Sequence, residues 1–268
     1  MKLYYPDGMR AHGETACQHL NFEKYNPQED QKEPALFWLY FQEDYEYLLG
    51  HEDKKFVFWH GSDVLRLRNF MELRYYLRDI HAEEIQHACH SKLLQDELAE
   101  LGIYAQIRPV FWNNIDKYKH SYEYSNKPEL YICSKEKREI EYGEGYVVSL
   151  SKIFPDCRFH VYGAEGYSTE NLIYHGTVSE KTIDAETKDM QICLRLNKHD
   201  GFSQTVMKAI LMGQFVITSI LYKGIPLAKN FKALYHVIES YIKVGDSYYI
   251  DSIRKWEKEF NNFDWLKI

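Results

Sequence analysis

The chain has 268 residues, room for one large or two small domains, and its 45% hydrophobic and 27% charged content is ordinary for a folded, soluble protein. A net charge of −7 argues against a general nucleic-acid footprint, and no apolar run is long enough to span a bilayer. The scattered cysteines (Cys17, Cys89, Cys133, Cys157, Cys193) and an N-terminus without an apolar signal core predict a reduced, cytoplasmic chain rather than a disulfide framework.

Lys2 to Tyr5 reads as a short strand, followed by the turn Pro6-Asp7-Gly8 and a loop carrying His12 and Gly13. Glu14 to Phe22 is a helix by pattern. Ala35 to Phe41 (ALFWLYF) is a continuous apolar run, as a buried parallel strand would be, and Asp44 to Leu49 is a short helix. Phe56 to His60 is a third buried strand, ending in His60-Gly61-Ser62-Asp63. A strand's carboxyl end followed by glycine and small polar residues is where ligands sit in open α/β sheets. His60 suits a catalytic and a structural role equally, and Asp63 reads first as an N-cap.

Val64 to Asp79 reads as one helix, rich in arginine and aromatics, with Arg74 and Arg78 on a common face. Such a face suits anionic lipid or a phosphorylated acceptor, though a solvated face is the commoner meaning. The run His81 to His90 has the composition of a metal cluster. Strand alternation over Ile85 to Ser91 would send His87 and His90 to opposite faces, so zinc is not expected. Ser91 caps a helix, Lys92 to Leu101, that stops at Gly102, and Ala105 to Phe111 is another strand.

Residues 113–128 are polar and tyrosine-rich without apolar period, the best linker in the chain. Beyond it come a strand (Leu130 to Cys133), a charged loop (Lys135 to Gly145), a helix (Tyr146 to Phe154) and two strands (Arg158 to Tyr162, Asn171 to His175), the last two followed by glycine. Glu180 to Thr187 is a short helix, and Met190 to Leu196 a strand. Lys198-His199-Asp200-Gly201 breaks that run, Ser203 is an N-cap, and Val206, Ala209 and Ile210 recur at helical spacing up to Gly213. Phe215 to Thr218 is a buried strand. A helix opening after a glycine at a strand's carboxyl end offers free N–H groups to a phosphate. An ordinary turn is the competing account of Asp200-Gly201. Two helices close the chain, Leu227 to Val244 and Ser247 to Phe260, the second with a stripe of Ile250, Ile253, Trp256 and Phe260, and Phe263 and Trp265 beyond. The alternation on both sides of 113–128 predicts two Rossmann-like α/β domains, 1–112 and 129–245, and the striped terminal helix within 246–268 needs a surface to bury it.

The segment Phe159 to Thr218 resembles the donor-binding half of GT-B glycosyltransferases of the retaining, family-four-like kind. Asp200-Gly201-Phe202 stands where those enzymes carry Glu-Gly-Phe, and Gly213-Gln-Phe-Val-Ile-Thr218 is similar to their glycine-plus-strand ending. Phe56 to Val64 and Ile85 to Pro109 resemble parts of their first domain. The resemblance implies a compact GT-B enzyme with a nucleotide-diphosphate sugar in the cleft between its domains and a terminal helix, within 246–268, that crosses back to the first domain. It implies that Gly201, Phe202, Ser203 and Gln204 meet the diphosphate, and that Asp200 contacts hydroxyls of the transferred sugar. A basic residue from the charged loop, Lys135, Lys137 or Arg138, would neutralise the leaving group. His60 would lie near the reacting sugar, with His12, Gly13 and Asp63 on the acceptor side. No metal and no other cofactor is implied. The acceptor is left open among carbohydrate, lipid-linked sugar and protein, and peripheral contact with the inner face of a membrane fits the arginine-rich stretch. The family's second glutamate, which holds the ribose, would fall at Lys208. A lysine cannot accept those hydrogen bonds, so either Gln204 substitutes or ribose recognition differs. Read without the resemblance, Lys208 is a solvent-facing lysine on a helix edge. A non-catalytic nucleotide- or sugar-binding relative, and a sugar-nucleotide epimerase, are the competing functions.

Overall fold

The computed structural model describes residues 1–121, 123–245, 255–256, 258–260 and 266. They form two compact units, the first comprising Met1–Ile115 and His199–Phe202 together with Glu259, Phe260 and Leu266.

The first unit holds a parallel sheet of six strands: β1 (Lys2–Tyr4), β2 (Glu23–Lys24), β3 (Ala35–Phe37), β4 (Lys55–Trp59), β5 (Ile85–Cys89) and β6 (Ala105–Ile107). Their order is β2-β1-β3-β4-β5-β6, so the direction of winding reverses between β1 and β3. The helices are α1 (Arg10–Leu20), α2 (Asp44–Leu49), α3 (Ser62–Leu67), α4 (Met71–Tyr75) and α5 (Lys92–Glu100). Both faces of this sheet are buried, which explains the unbroken apolar runs. Along β4, Val57 and Trp59 enter one core cluster with Phe37, Leu94 and Leu98, while Phe56 and Phe58 enter the other with Leu36, Trp38 and Trp112. The same alternation separates His87, stacked on Trp59, from His90, set edge-on to Phe58.

The second unit holds β7 (Glu129–Cys133), β8 (Arg158–Tyr162), β9 (Leu172–Gly176), β10 (Ile192–Arg195) and β11 (Phe215–Thr218), all parallel, in the order β11-β10-β7-β8-β9. Its helices are α6 (Glu139–Tyr142), α7 (Glu144–Ile153), α8 (Glu180–Thr187), α9 (Gln204–Leu211) and α10 (Phe231–Val244). This is the doubly wound order, with its switch point between β7 and β10. Ser203, Ser179 and Asn230 cap α9, α8 and α10 through their side chains, and Gly213 takes the left-handed conformation (φ 79°) just after α9.

Several elements differ from the sequence reading. His12 and Gly13 are not on a loop: α1 begins at Arg10 and carries both. Gly13 is there for packing, since a Cβ would lie 2.2 Å from Cγ of Tyr5. The strand expected over Ala35 to Phe41 ends at Phe37, because the Asp44 carboxylate accepts from the backbone N–H of Tyr40 (2.7 Å) and Phe41 (2.6 Å) and bends the chain. The single helix expected over Val64 to Asp79 is broken at Phe70, whose ψ of 81° is not helical, and ends in a π turn over Tyr76–Ile80. The strand expected over Ala105 to Phe111 spans only Ala105–Ile107, and the charged loop contains α6. From Asp116 the segment 113–128 belongs to the second unit. It is anchored by tyrosine and serine hydroxyls that leave no apolar period: Tyr118 donates to Asp184 (2.7 Å), Ser121 to the Lys188 carbonyl (2.7 Å), Tyr124 to the Ile242 carbonyl (3.0 Å). Of the expected helix Ser247 to Phe260, residues 247–254 and 257 lie outside the described residues, as do Phe263 and Trp265. Phe260 packs against Phe111 and Phe202, and Leu266 joins the core cluster around Trp38.

Candidate functional site

Two turns meet in the first unit: the one after β4 and the loop His199–Phe202. Asp63 shapes the former. Its carboxylate accepts from the N–H of His60 (2.8 Å), Gly61 (2.6 Å) and Val64 (2.9 Å) and is buried, and burial pushes its pKa up to about 6 against those bonds. An acid so engaged builds the turn. Gly61 sits at φ 152°, and the backbone of Asp200 and Gly201 lies directly against it. Gly201 approaches more closely still: a Cβ there would stand 2.0 Å from the His60 carbonyl oxygen. The loop is also tied by His199 Nε2 and Glu97 Oε2, 2.8 Å apart.

The His60 ring lies among Trp38, Phe58, His90 and Trp112. Burial, with smaller contributions from His90 and His12, drops its pKa well below the ordinary range, so the ring is neutral at physiological pH. Its Nε2 is buried without a hydrogen-bond partner among the described residues. Thus His60, Asp63, Asp200 and Gly201 are brought together. His12 is exposed on α1, and Gly13 is packed under Tyr5.

In the second unit a cavity of about 490 Å³ opens at the carboxyl ends of β7 to β10, lined by Ser134, Lys135, Glu136, Lys137, Tyr142 and Arg195 among others. It lies at the switch point, where doubly wound sheets take their ligands. Arg195 sets its guanidinium over the Tyr142 ring at 5.3 Å. Arg138 pairs with Glu141 and does not line this cavity. A second cavity, about 520 Å³, lies beyond β10 and β11 and is lined by Tyr146, Asn197, Lys198 and Ser219, among others. Arg195 was missed in the sequence, though an arginine closing the apolar run Ile192-Cys193-Leu194 at a strand's carboxyl end is a legible signal.

Residues at the start of α9 are more enclosed than an open phosphate cradle requires. Gly201, Phe202 and Ser203 are buried, the Ser203 hydroxyl accepts from the Thr205 N–H (3.2 Å), and Gln204 Nε2 donates to Met207 Sδ (3.4 Å). Lys208 is not solvent-facing. It is 8% exposed, and its Nζ donates to Glu180 Oε1 (2.5 Å) and Asp184 Oδ1 (2.7 Å) on α8, with the Tyr118 ring 5.3 Å away.

No protein-family model and no curated protein matches the chain. Solved structures do. A TarM variant of S. aureus, in complex with fondaparinux, α-GlcNAc-glycerol and UDP, superposes with a TM-score of 0.60 at 10% identity, over 85% of this chain and 52% of TarM. HepE of Anabaena, with UDP and glucose, gives 0.59 at 12% identity, over 83% of this chain and 73% of HepE. The pneumococcal O-GlcNAc transferase GtfA, with UDP and GlcNAc, gives 0.52 at 17% identity, over 85% and 56%. The fold is GT-B. The chain spans about half the length of TarM. At these identities the likeness is one of GT-B architecture, two Rossmann-like parallel sheets. Among the described residues no GT-B helix is long and apolar enough to cross a membrane.

Proposed function

We propose that this chain is a glycosyltransferase that moves a sugar from a nucleotide-diphosphate sugar to an acceptor with retention, acting in the cytoplasm. One observation carries the reading: on a GT-B fold, a cavity at the β7/β10 switch point is lined by Lys135 and Arg195. The costly event in glycosyl transfer from such donors is the departure of a diphosphate. Fixed cations at the place where that charge develops lower the barrier, and they do so most where water is scarce. Lys135 and Arg195 take this role, with Ser134 as a further hydrogen-bonding group. Asp200 accepts from hydroxyls of the transferred sugar. UDP in TarM, HepE and GtfA is the precedent for the donor class. The acceptor is a carbohydrate, a lipid-linked sugar or a protein.

A second reading, a nucleotide- or sugar-binding relative without turnover, is favoured by Lys208. Its amine is committed to Glu180 and Asp184, and it stands where the resembling enzymes place a ribose-binding glutamate. The deciding experiment is a thermal-shift screen with UDP, GDP and ADP, followed by hydrolysis and transfer assays with the matching sugar nucleotides. The enzyme is stabilised by at least one diphosphate, and Lys135→Ala or Arg195→Ala removes that shift. Stabilisation without sugar release supports the binder, product without acceptor supports an epimerase, and no shift with any nucleotide refutes the donor site.

A further inference from the structure

β9 is an edge strand, and a bulge interrupts its pairing with β8: Val161 pairs with Tyr174 and Tyr162 with Gly176, so His175 has no partner in the register. The bulge sets His175 beside two side chains of β8. Its ring stacks on Tyr162 with centroids 4.2 Å apart, and its Nε2 lies 3.0 Å from Nδ1 of His160. The line of polar groups continues at both ends. Nδ1 of His175 is 3.2 Å from Glu186 Oε2 on α8, which also accepts from the Tyr162 hydroxyl (2.9 Å). Nε2 of His160 faces Glu129 Oε2 on β7 at 4.0 Å, buried and without a hydrogen bond among the described residues. Arg158 donates to the other oxygen of Glu129 (3.4 Å). Among the described residues, Glu129, Arg158 and Glu186 are thus the charged groups that face the pair, from β7, β8 and α8.

Proton counting decides what this line can do. As a carboxylate Glu186 only accepts, so Nδ1 of His175 carries a proton and its Nε2 offers a lone pair. That lone pair accepts from the Nδ1–H of His160. One more proton fits on Nε2 of His160, where it faces Glu129 and leaves the bond between the rings intact. A second must go to Nε2 of His175, the one ring nitrogen still bare. Two cationic rings then point N–H groups at each other across 3.0 Å, and their bond is lost. Burial, the largest influence, resists charge on His160, as do His175 and Arg158, while Glu129 and Glu186 favour it; the balance lies below the ordinary imidazole value.

We propose that His160 and His175 form an acid-sensitive latch on β9: the closed pair holds at most one extra proton, and the second frees the edge strand and α8. The latch braces the cavity at the β7/β10 switch point, because the Gly163 N–H donates to the Gly176 carbonyl (2.8 Å) and Gly163 and Thr177 line its wall. Opening lets the pair take up at least one proton that the closed form refuses. It is therefore suppressed above the free-imidazole value of 6.5 and grows by roughly tenfold or more per pH unit below it.

The test is hydrogen exchange of the full chain from pH 8 to pH 5, read as protection factors of the β9 amides against those of β10 and β11. Protection of β9 stays level above pH 6.5 and falls below it with that slope, ahead of β10 and β11. His160→Asn puts a side-chain amide at the place of Nδ1, and its carbonyl accepts from His175 once that ring is charged, so β9 becomes level across the whole range. Wild-type β9 protection that ignores pH, β9 falling together with β10, or an unchanged slope in His160→Asn each overturns the proposal. If that variant fails to fold, nitrogen-15 NMR of the wild-type imidazoles decides: one ring neutral for as long as β9 is protected supports the latch, and two cationic rings with β9 still protected overturn it. No nucleotide enters the experiment, so its failure leaves the donor reading standing, and failure of the donor site leaves the latch.

Discussion

The contact between Gly201 and His60 makes a sharp test, because it involves backbone on one side and a single missing methyl on the other. In Gly201→Ala the new Cβ would lie 2.0 Å from the His60 carbonyl oxygen, 2.9 Å from its carbon and 3.2 Å from Leu94 Cδ1. Contacts under 3.0 Å do not occur for real Cβ atoms, so the two backbones must part by 3.0 − 2.0, about 1 Å. Neither side gives easily. The His60 turn is pinned by three bonds to Asp63, and the Gly61 backbone lies against the same loop. Overpacking a rigid interior typically costs about 1–3 kcal/mol. The upper end is expected here, roughly 10 °C in melting temperature for a unit of this size. The assay is differential scanning fluorimetry with Gly145→Ala as the control. A Cβ at Gly145 meets nothing within 4 Å and sits inside α7, so that change should stabilise by about 0.5–1 kcal/mol. A Gly201→Ala variant that melts with the wild type refutes the close approach.

Acid should loosen the fold through its buried histidines. Burial holds His87 at about 4 and His90 at about 3, and lowers His60 as well, against 6.5 for a free imidazole. The unfolded chain therefore binds more protons below pH 6.5, so stability is whole above that value and drains as pH falls toward the folded pKa values, by up to about 1.4 kcal/mol per ring per pH unit. Asp63 opposes this between 3.8 and about 6, because its folded pKa is raised, but it is one group against three. Urea midpoints measured from pH 7 to pH 5 should drop, and His90→Phe should flatten the slope; a flat wild-type curve would contradict the burial of these rings. Breaking the Lys208 network with Lys208→Met leaves Asp184 with the Tyr118 hydroxyl and Lys117, and should cost about 1.5–3 kcal/mol, as read by chemical denaturation. Lys208→Glu should be worse, since it sets three carboxylates together; a stable, more active Lys208→Glu would overturn that reasoning. Asp200→Ala should cut sugar transfer strongly with little change in nucleotide binding, and unchanged turnover would remove its assigned role.

The two parallel sheets were legible because buried parallel strands leave long apolar runs and helices between them leave caps. Phe215–Thr218, Arg158–Tyr162 and Glu180–Thr187 fall where the pattern puts them. What failed was decided by single side chains reaching across the fold. Asp44 shortens β3 through two hydrogen bonds that no periodicity encodes. Gly13 looks like a loop breaker until Tyr5 is seen lying on it. The tyrosines of 113–128 mimic a polar linker because their hydroxyls, rather than an apolar stripe, do the anchoring. At the candidate site, glycine and aspartate at strand ends flagged two turns that the fold brings into contact. Whether a strand-end residue lines a cavity or packs beneath it depends on the neighbouring turn, so Arg195 went unseen while Gly201 and Ser203 are more enclosed than their position suggested.

Lys208 shows how one side chain organises its surroundings. A glutamate at that place on α9 would face Glu180 and Asp184 on α8, and three carboxylates so close would repel. With lysine there, the same two acids become partners, the Tyr118 hydroxyl completes Asp184, and the segment after Asp116 is drawn onto the second unit. The lysine and its acidic neighbours form a self-consistent set, so a glutamate introduced alone would meet only like charge. On the proposed donor reading, a nucleotide ribose would need its hydroxyl acceptors elsewhere than Lys208. In the cavity at the β7/β10 switch point, Glu136 is the carboxylate that lines the wall beside Lys135. If Glu136→Gln weakens UDP but not inorganic diphosphate, that carboxylate has taken over the task; equal gains for both, from the lost repulsion, would assign it to the cavity's charge balance instead.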